Sequence, residues 1–318
     1  MSETKPPVIV IAGPTASGKS DLAVDLALKI GGEVISADSV QVYKGFDIGS
    51  AKITAREMKG VPHHMISILE PTDEFNVMFF QKKARECVDD IIGRGHIPIV
   101  AGGTGFYIQA FLRDVEFTDD ATDKEYADSL WKYYEVNGFE ALFEKLKDAD
   151  PASAVSIPKE NIKRVIRALE YHHRTGVKIS EHNETEKAKD YIYDHVYFIL
   201  NDKREIIYDR INRRVDKMMD AGLLDEVKGL LDSGVPRSAV SMQGLGYKEI
   251  ADLIYGERSL KEATELIKKR SRNFAKRQLT YFRSVKDAVW IERSDFNGEN
   301  ERMLAFMLKT LQDKGIIK

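Results

Sequence analysis

A single cysteine, Cys87, occurs among the 318 residues of this chain. It excludes an internal disulfide and any zinc site that needs several cysteines. Apolar runs stay well short of the roughly 18 residues of a membrane span, and the leading MSETKPP lacks the basic-then-apolar order of a signal peptide. We therefore expect a cytoplasmic protein without a membrane segment.

Positive charge does not dominate the chain, whose formal net charge is −3, but it is unevenly distributed. Residues 114–150 contain twelve acidic and four basic residues, a net of −8. Residues 159–178 carry a net of +4, and residues 261–286 carry nine basic and two acidic residues, a net of +7. Such basic segments are either solvated helix faces or surfaces for a polyanion, and charge alone does not separate the two.

Strand-like apolar runs alternate with helical patterns, which predicts a parallel sheet flanked by helices. The predicted strands are VIVIAG (8–13), EVISADS (33–39), a shorter run (64–69), the start of IPIVAGGTGFYI (97–108), HVYFILN (195–201) and DAVWIE (287–292). The clearest predicted helices cover residues 19–30, 203–219 and 260–285, with another that follows Pro71-Thr72-Asp73 and ends at the break at 93–95.

Between the fourth and fifth predicted strands the chain is helical and highly charged. We interpret residues 115–194 as an inserted helical domain. Residues 1–114 and 195–318 then form the α/β core with its carboxy-terminal helices.

The segment GPTASGKS, residues 13–20, follows the first predicted strand and opens the first predicted helix. It matches G-x-x-x-x-G-K-[ST] in the strand–loop–helix context that this phosphate-binding motif requires. Its backbone N–H groups and the helix amino terminus favour an anion, Lys19 adds a full charge, and the Ser20 hydroxyl is suited to hold Mg²⁺. The predicted fold is therefore P-loop NTPase-like, and the loop residues are Gly13, Pro14, Thr15, Ala16, Ser17, Gly18, Lys19 and Ser20.

Two polar residues end other predicted strands, where an open parallel sheet binds its ligands. Asp38 can act as a base toward an acceptor or as an outer partner of the metal, or it can simply cap the turn that Ser39 continues. Thr104 in GGTG faces the same crevice or caps the next helix. A hydrolytic switch is not favoured, because no NKxD occurs and the strand at residues 97–100 ends without a carboxylate.

Together with GPTASGKS, the segments SADSVQVYKGFDIGSAK and AGGTGFY resemble the bacterial tRNA dimethylallyltransferase family, also called tRNA isopentenyltransferase. The resemblance continues through RxxxRVxxMMxxGLLDEV (210–227), SMQGLGYKE (241–249) and RNFAKRQLTYFR (272–283), so it spans nearly the whole chain. The zinc finger of eukaryotic relatives is absent, which agrees with the single cysteine.

The resemblance implies that dimethylallyl diphosphate donates its prenyl group to the N6 amine of adenosine 37 in the anticodon stem-loop of tRNA. The phosphate loop, with Mg²⁺ as cofactor, then holds a leaving group. Asp38 resembles the family's general base, Thr104 the threonine near the acceptor, and Arg214 the arginine near the diphosphate, although Arg213 is an alternative. Thr15 is expected to contact the diphosphate.

The same resemblance implies a tRNA surface in several segments. Its expected residues are Asp38, Ser39, Val40, Gln41 and Thr104; Asn161, Ile162, Lys163, Arg164 and Val165; Gln243, Gly244, Gly246, Tyr247 and Lys248; and Lys269, Arg272, Lys276 and Arg277. For the rings of Tyr247 and Tyr281, base stacking and core packing both remain open.

In residues 260–285, apolar positions at helical offsets leave the basic side chains for the opposite surface, where they could meet RNA phosphates. The expected apolar positions are Leu260, Ala263, Ile267, Phe274, Phe282 and Val285; the basic ones include Lys268 and Arg283.

Three other readings remain open at this stage. A small-molecule kinase shares the strand, phosphate loop and helix but has little use for a strongly basic helix. Prenyl transfer to free AMP keeps the chemistry and changes the acceptor, and an RNA-binding module without activity is the third. The histidine pairs His63-His64 and His172-His173 lack spaced metal-ligating partners, so we expect loop or surface positions for them. No obligate protein partner is evident.

Overall fold

The computed structural model describes residues 5–117, 123–158 and 160–318. The chain divides into two compact units, the first formed by Met1–Leu112 with Ile192–Lys318 and the second by Arg113–Tyr191. Residues 1–4 of the leading segment, residues 118–122 of the acidic segment and Lys159, the first residue of one basic segment, lie outside the described ranges.

A parallel six-stranded sheet forms the centre of the first unit and confirms the predicted α/β fold class. Its spatial order is β3-β2-β4-β1-β5-β6. In chain order the strands are β1 (Pro7–Ala12), β2 (Gly32–Ala37), β3 (His63–His64), β4 (Ile97–Gly102), β5 (Asp194–Asn201) and β6 (Val289–Glu292).

Thirteen α-helices lie in the described ranges, with short 3₁₀ turns at Ser241–Gln243 and Arg293–Phe296. None of these helices has the length and apolar content needed to cross a membrane. The helices are α1 (Lys19–Ile30), α2 (Ala55–Met58), α3 (Val77–Gly93), α4 (Gly105–Arg113), α5 (Lys124–Ala149), α6 (Pro151–Ser156), α7 (Ile162–Thr175), α8 (Ile179–Ala188), α9 (Arg204–Asp220), α10 (Leu223–Asp232), α11 (Tyr247–Ile254), α12 (Leu260–Phe282) and α13 (Asn300–Asp313).

Strand register places three chain turns at one edge of the sheet. Gly102 at the end of β4 pairs with Ala12 at the end of β1 and with Ala37 at the end of β2. The three strands therefore end at the same level. Because ligands of open parallel sheets bind beyond the carboxyl ends of the strands, this register fixes where a site can form.

The core of the first unit packs α1 and α13 against the sheet. Leu22 and Leu26 on one face of α1 are fully buried with β1 and with Met303 of α13. Burial of each such side chain stabilises the fold by about 1.5–3 kcal/mol. The helix ends at Gly31, whose left-handed conformation (φ 64°) lets its N–H bond to the Ala27 carbonyl.

The second unit has its own core of α5 and α7 side chains. Gly138, with φ 78°, kinks α5. Buried Asp150 accepts hydrogen bonds from the backbone and hydroxyl groups of both Ser153 and Ser180. Although burial disfavours its charged form, these bonds lower the pKa of Asp150.

Three expectations about local structure were wrong. The run at 64–69 forms only the end of a two-residue strand, because Met65 and Ser67 adopt positive φ angles of 63° and 51° and turn the chain. His63 and His64, expected at loop or surface positions, form that strand and are half-buried. On α12, Ala263, Ile267 and Phe282 are buried as expected, but Leu260 and Phe274 are 52% and 37% exposed.

His64 belongs to an ionic cluster around Glu33, a side chain that is only 2% exposed. The Glu33 carboxylate accepts hydrogen bonds from Arg94 at 2.7 and 3.1 Å and contacts His64 and His96 at 2.6 Å each. The Arg94 hydrogen bonds outweigh the burial and, together with the two histidines, lower the pKa of Glu33 to about 2.

We predict that Glu33→Gln lowers the free energy of unfolding at pH 7 by about 2 kcal/mol, because it removes the charge that the cluster is built around. Since the folded pKa of Glu33 is about 2, its contribution is present above the unfolded value near 4.3 and is lost as the pH falls toward 2. Urea unfolding of both proteins at several pH values should show the difference shrinking between about pH 5 and pH 3. Glu86→Gln, which removes an exposed partner of Lys83, is the control. A difference of equal size at pH 7 and pH 3 would contradict the assignment.

Candidate active site

A cleft opens where β1, β2 and β4 end. The turns after these strands start at Gly13, Asp38 and Gly103, and all of its lining residues belong to the first unit. The lining comprises Thr15, Lys19, Ser20, Ala23, Val34, Ser36, Asp38, Gln41, Ser50, Ile53, His63, Ile66, Ala101, Gly102, Gly103, Arg214, Phe274 and Gln278.

The phosphate loop passes through positions where a larger residue does not fit. A Cβ on Gly13 would lie 2.6 Å from the Leu200 carbonyl oxygen, and Gly18 has a φ of 85° at the start of α1. Pro14 and Ser17 are buried, whereas Ser20 is exposed and lines the cleft. The loop therefore presents the amino terminus of a twelve-residue helix to the cleft, which favours an anion.

Lys19 and Arg214 bring two positive charges to the same place. The Lys19 Nζ donates to the Pro14 carbonyl at 3.4 Å, and Arg214 on α9 donates to the Thr15 hydroxyl at 3.3 Å. Arg213 is exposed and pairs with Asp209, so the structure directs Arg214 and not its neighbour into the cleft. Burial and the charge of Arg214 lower the pKa of Lys19 to about 8, while Asp38 opposes this shift. Burial likewise lowers the pKa of Arg214, and Asp38 again opposes it.

Asp38 both caps a turn and faces the cleft. Its Oδ1 accepts hydrogen bonds from the backbone N–H groups of Val40 at 2.9 Å and Gln41 at 3.2 Å. Among the described residues, Oδ2 has no hydrogen-bond partner. The turn thus holds the carboxylate through one oxygen and leaves the other able to accept a proton.

Gln278 on α12 is a residue that the sequence analysis missed. Its side chain accepts from the Thr15 N–H at 2.9 Å and donates to the Gly103 carbonyl at 3.0 Å, so it links the phosphate loop to the turn after β4. A Cβ on Gly103 would lie 2.2 Å from the Gln278 Nε2. The available signal was a polar residue on the buried face of α12, four residues before Phe282 and three after Ala275.

Of the other predicted residues, Gln41 lines the cleft, whereas Ser39, Val40 and Thr104 are not among its lining residues. The Gln41 amide donates to the Ser50 and Ala51 carbonyls at 3.3 Å each and accepts from Ser36 at 3.2 Å. Thr104 occupies the residue before α4, and its N–H donates to the Ala37 carbonyl at 3.4 Å. Ser39 is exposed and Val40 half-buried beside them.

The segment 243–248 is divided between surface and core. Gln243 and Lys248 are exposed, Gly244 is half-buried and Gly246 is buried. The ring of Tyr247 is fully buried, with its centroid 4.5 Å from that of Phe46. Core packing is therefore the role of this ring, which cannot stack on a base in this structure. Tyr281 packs against Gly105.

Helix α12 presents fewer free cations than its composition suggests. Lys268 pairs with Asp216 at 2.7 Å, Arg270 with Glu249, and Arg272 donates to Asn212 at 2.6 Å. Lys269, Lys276 and Arg277 are exposed, and the Arg277 guanidinium lies 5.6 Å from the ring of Phe274. Phe274, expected in the core, instead lines the cleft.

In the second unit, Asn161 caps α7 by accepting the Arg164 N–H at 3.3 Å. Lys163 and Arg164 are exposed, Ile162 is half-buried and Val165 is fully buried. Val165 therefore contributes to the core of this unit, and the two cations to its surface.

The chain is similar to proteins of one family along nearly its whole length. Residues 41–285 match the sequence model of the family described as IPP transferase, and residues 6–72 match that described as isopentenyl transferase. The tRNA dimethylallyltransferase of Lachnoclostridium phytofermentans is 48% identical over 98% of this chain and 99% of its own length. That of Bacillus licheniformis is 48% identical over 92% of each chain.

Solved structures agree with these matches. The full-length tRNA isopentenylpyrophosphate transferase of Bacillus halodurans superposes with a TM-score of 0.73 at 41% identity and covers 98% of both chains. A eukaryotic dimethylallyltransferase, crystallised acting on tRNA, superposes with a TM-score of 0.78 at 28% identity, over 97% of this chain and 80% of its own. Both support the P-loop NTPase-like fold.

The lowered pKa of Lys19 leads to a prediction about anion affinity. A diphosphate oxygen beside Lys19 favours the charged amine and raises its pKa above 8. The affinity for the diphosphate is then highest below about pH 8, where Lys19 is charged. It falls as the pH rises further, by about tenfold between pH 8 and 9.5. Titration calorimetry with an alkyl diphosphate and a metal chelator measures this.

Lys19→Arg is the matched control, because a guanidinium keeps its charge throughout this range. Its affinity should be independent of pH. A wild-type affinity that does not change between about pH 8 and 9.5 would contradict the role given to Lys19.

Proposed function

The chain belongs to the IPP transferase family, the tRNA dimethylallyltransferases, and on that basis we propose that it transfers the dimethylallyl group of dimethylallyl diphosphate to the N6 amine of adenosine 37 in the tRNA anticodon loop. Diphosphate is the second product. The C–O bond between the prenyl carbon and the diphosphate breaks, the C–N bond forms, and N6 loses one proton. A cytoplasmic location is part of the proposal.

The donor's diphosphate lies in the phosphate loop. Loop N–H groups, Lys19 and Arg214 meet the charge that develops on the leaving group, and Thr15 is held between Arg214 and Gln278. Each well-placed donor of this kind contributes about 3 kcal/mol to transition-state stabilisation. The role of the loop is therefore to stabilise a leaving group, without hydrolysis of the diphosphate.

Ser20 would hold a Mg²⁺ ion at the diphosphate, and Asp38 would be an outer partner of that ion. Both supply hard oxygen donors to the cleft, and the described residues contain no group of three His, Cys, Asp or Glu side chains that could chelate a metal alone. When bound, Mg²⁺ would neutralise charge on the leaving diphosphate. Ser20 would be its protein ligand.

Asp38 acts on the acceptor. The lone pair of an adenine N6 is delocalised into the ring, so the amine attacks well only if its proton is removed as the bond forms. Oδ2 of Asp38 accepts this proton while the turn to Val40 and Gln41 holds Oδ1. Thr104, at the end of the neighbouring turn, contacts the acceptor.

The acceptor base must leave the anticodon-loop stack to reach Asp38, which costs a few kcal/mol. Ser39, Val40 and Gln41 contact the extruded base. Around them, tRNA contacts come from the exposed Gln243 and Lys248, from the backbone of the half-buried Gly244 and from α12, while the buried Gly246 shapes the turn before α11. Electrostatic attraction by Lys269, Lys276 and Arg277 compensates part of the cost.

The second unit, Arg113–Tyr191, predicted from the sequence as an inserted domain of residues 115–194, binds the same tRNA. Its exposed Lys163 and Arg164, at the start of a capped helix, are placed to contact phosphates. Arg272 of α12 donates a hydrogen bond to Asn212, and Val165 is buried in the core of the second unit. Both residues therefore support these surfaces indirectly.

The observation that carries the proposal is the sharing of one cleft by a phosphate loop with two cations and by a carboxylate with one free oxygen. The direct test incubates the protein with Mg²⁺ and labelled dimethylallyl diphosphate in parallel with tRNA, AMP and ATP. Label in tRNA at adenosine 37 supports the proposal. Label in AMP alone, or no transfer to RNA together with phosphorylation of a metabolite by ATP, refutes it.

We predict that Asp38→Asn lowers kcat by about 100- to 10,000-fold, because the amide keeps the turn but cannot take a proton. Binding of tRNA should stay within about twofold of wild type, as measured by filter binding. Asp38→Ala loses the turn as well and should be no more active. Near-normal turnover of the asparagine variant would remove Asp38 from the mechanism.

For α12, we predict that Lys269→Ala and Lys276→Ala each weaken tRNA binding and lower the slope of log affinity against log salt by about 1. Lys309→Ala, which removes an exposed cation from α13, controls for net charge and should leave the slope unchanged. Equal slopes in all four proteins would exclude this surface.

A further inference from the structure

Residues 47–50 form a short loop whose backbone points at one carboxylate. Glu226 on α10 accepts hydrogen bonds from the N–H groups of Asp47 at 3.0 Å, Ile48 at 2.7 Å and Gly49 at 3.0 Å. Loop and carboxylate are more than 170 residues apart in the chain. Three successive N–H groups directed at one anion resemble a backbone anion nest, here filled by the protein itself.

Tyr247 completes this arrangement, which we call the Glu226 clamp: Glu226, Tyr247 and the backbone of residues 47–50. The Tyr247 hydroxyl donates to Glu226 at 2.7 Å and accepts from the Ser50 N–H at 3.1 Å. A Cβ on Gly49 would lie 2.6 Å from the Tyr247 ring, so ring and loop are in direct contact. Burial and Glu226 raise the pKa of Tyr247, which keeps the hydroxyl protonated.

The clamped loop is hydrogen-bonded to Gln41, which in turn is hydrogen-bonded to Asp38 in the cleft. Gln41 donates its amide N–H groups to the Ser50 and Ala51 carbonyls, and its backbone N–H donates to Asp38 Oδ1. Ser50 itself lines the cleft. Glu226 is therefore linked to the Asp38 turn by backbone and hydrogen bonds, although it does not line the cleft.

We propose that Glu226, with Tyr247, is a positioning residue for the transfer reaction: it holds residues 47–50 so that Gln41 and Asp38 meet the acceptor amine. The expected loss of kcat rests on the proposed function, whereas the stabilisation of residues 47–50 by Glu226 does not. Displacement of a reacting group by about 1 Å can lower a rate about 100-fold.

The test compares Glu226→Gln with Asp225→Asn, which removes a charge from the adjacent, exposed position of the same helix. An amide at position 226 offers one acceptor oxygen where the carboxylate offers two, and its N–H groups oppose the loop N–H groups. Tyr247→Phe is a milder second variant that removes only the hydroxyl. Measured quantities are kcat, the affinities for dimethylallyl diphosphate and tRNA, and hydrogen exchange at residues 47–50 and Gln41.

We expect Glu226→Gln to lower kcat about 100-fold and Tyr247→Phe about tenfold, with donor affinity within about twofold and wild-type behaviour of Asp225→Asn. Amide exchange at residues 47–50 should be slow in the wild type and faster in both variants. The double variant should lose little more than Glu226→Gln, because the two residues act as a unit.

Wild-type kcat in Glu226→Gln would overturn the proposal, as would a loss of donor affinity equal to the loss of kcat. If Glu226→Gln does not fold, Tyr247→Phe decides by the same criteria. If the wild type does not prenylate tRNA, the proposed function fails, and the exchange data alone decide whether the clamp exists. Rapid exchange at residues 47–50 in the wild type would then overturn it.

Discussion

The level ending of three neighbouring parallel strands is the constraint on which the site depends. Because Gly102 pairs with both Ala12 and Ala37, the chain leaves the sheet at the same height three times. One exit forms the phosphate loop, one the Asp38 turn and one the glycine turn before Thr104. A slip of one residue in β2 would turn its side chains to the opposite face and move Asp38 away from the loop.

Electrostatics then decide what this edge can bind. Lys19 and Arg214 repel each other in a partly buried cleft, and the charge of Asp38, helped at Arg214 by Asp21 and Glu57, only partly offsets the lowering of their pKa values. An anion that takes its place between them gains from both charges without reorganising the protein, which is the property expected of a preorganised leaving-group site. Asp38 opposes the pKa shifts of both cations, and among the described residues its Oδ2 has no hydrogen-bond partner, as the proposed role of accepting a proton requires.

Local signals in the sequence were enough to predict much of this architecture. Helix α1 begins and ends where the glycines and the apolar face predict, and the phosphate loop and Asp38 stand in the expected strand–turn context. These features depend on neighbours in sequence, where glycine conformation and hydrophobic period act directly. The P-loop NTPase-like fold and the family followed from motifs in order along the chain.

What the sequence did not reveal depends on partners that are distant in the chain. Gln278 contacts a loop 263 residues away, and its place on the buried face of α12 does not by itself show which loop it meets. The choice between Arg213 and Arg214 depends on which face of α9 meets the phosphate loop. The helical spacing of apolar residues places Phe274 in the core. In the structure the buried face of α12 is narrower than this spacing predicts, and Phe274 lines the cleft. The paired charges of Lys268 and Arg270 are likewise set by tertiary contacts.

Helix α12 carries the Gln278 bridge on one side and the exposed Lys269 and Lys276 on another. A helix turns by about 100° per residue, so a single insertion between Lys269 and Gln278 would rotate Lys269 relative to Gln278 by more than a quarter of a circle. A substitution changes the contacts of one residue, whereas a change of length changes the relative orientation of all the residues on either side of it. Among related sequences, the segment from Lys269 to Gln278 should therefore differ by substitutions and not by insertions or deletions.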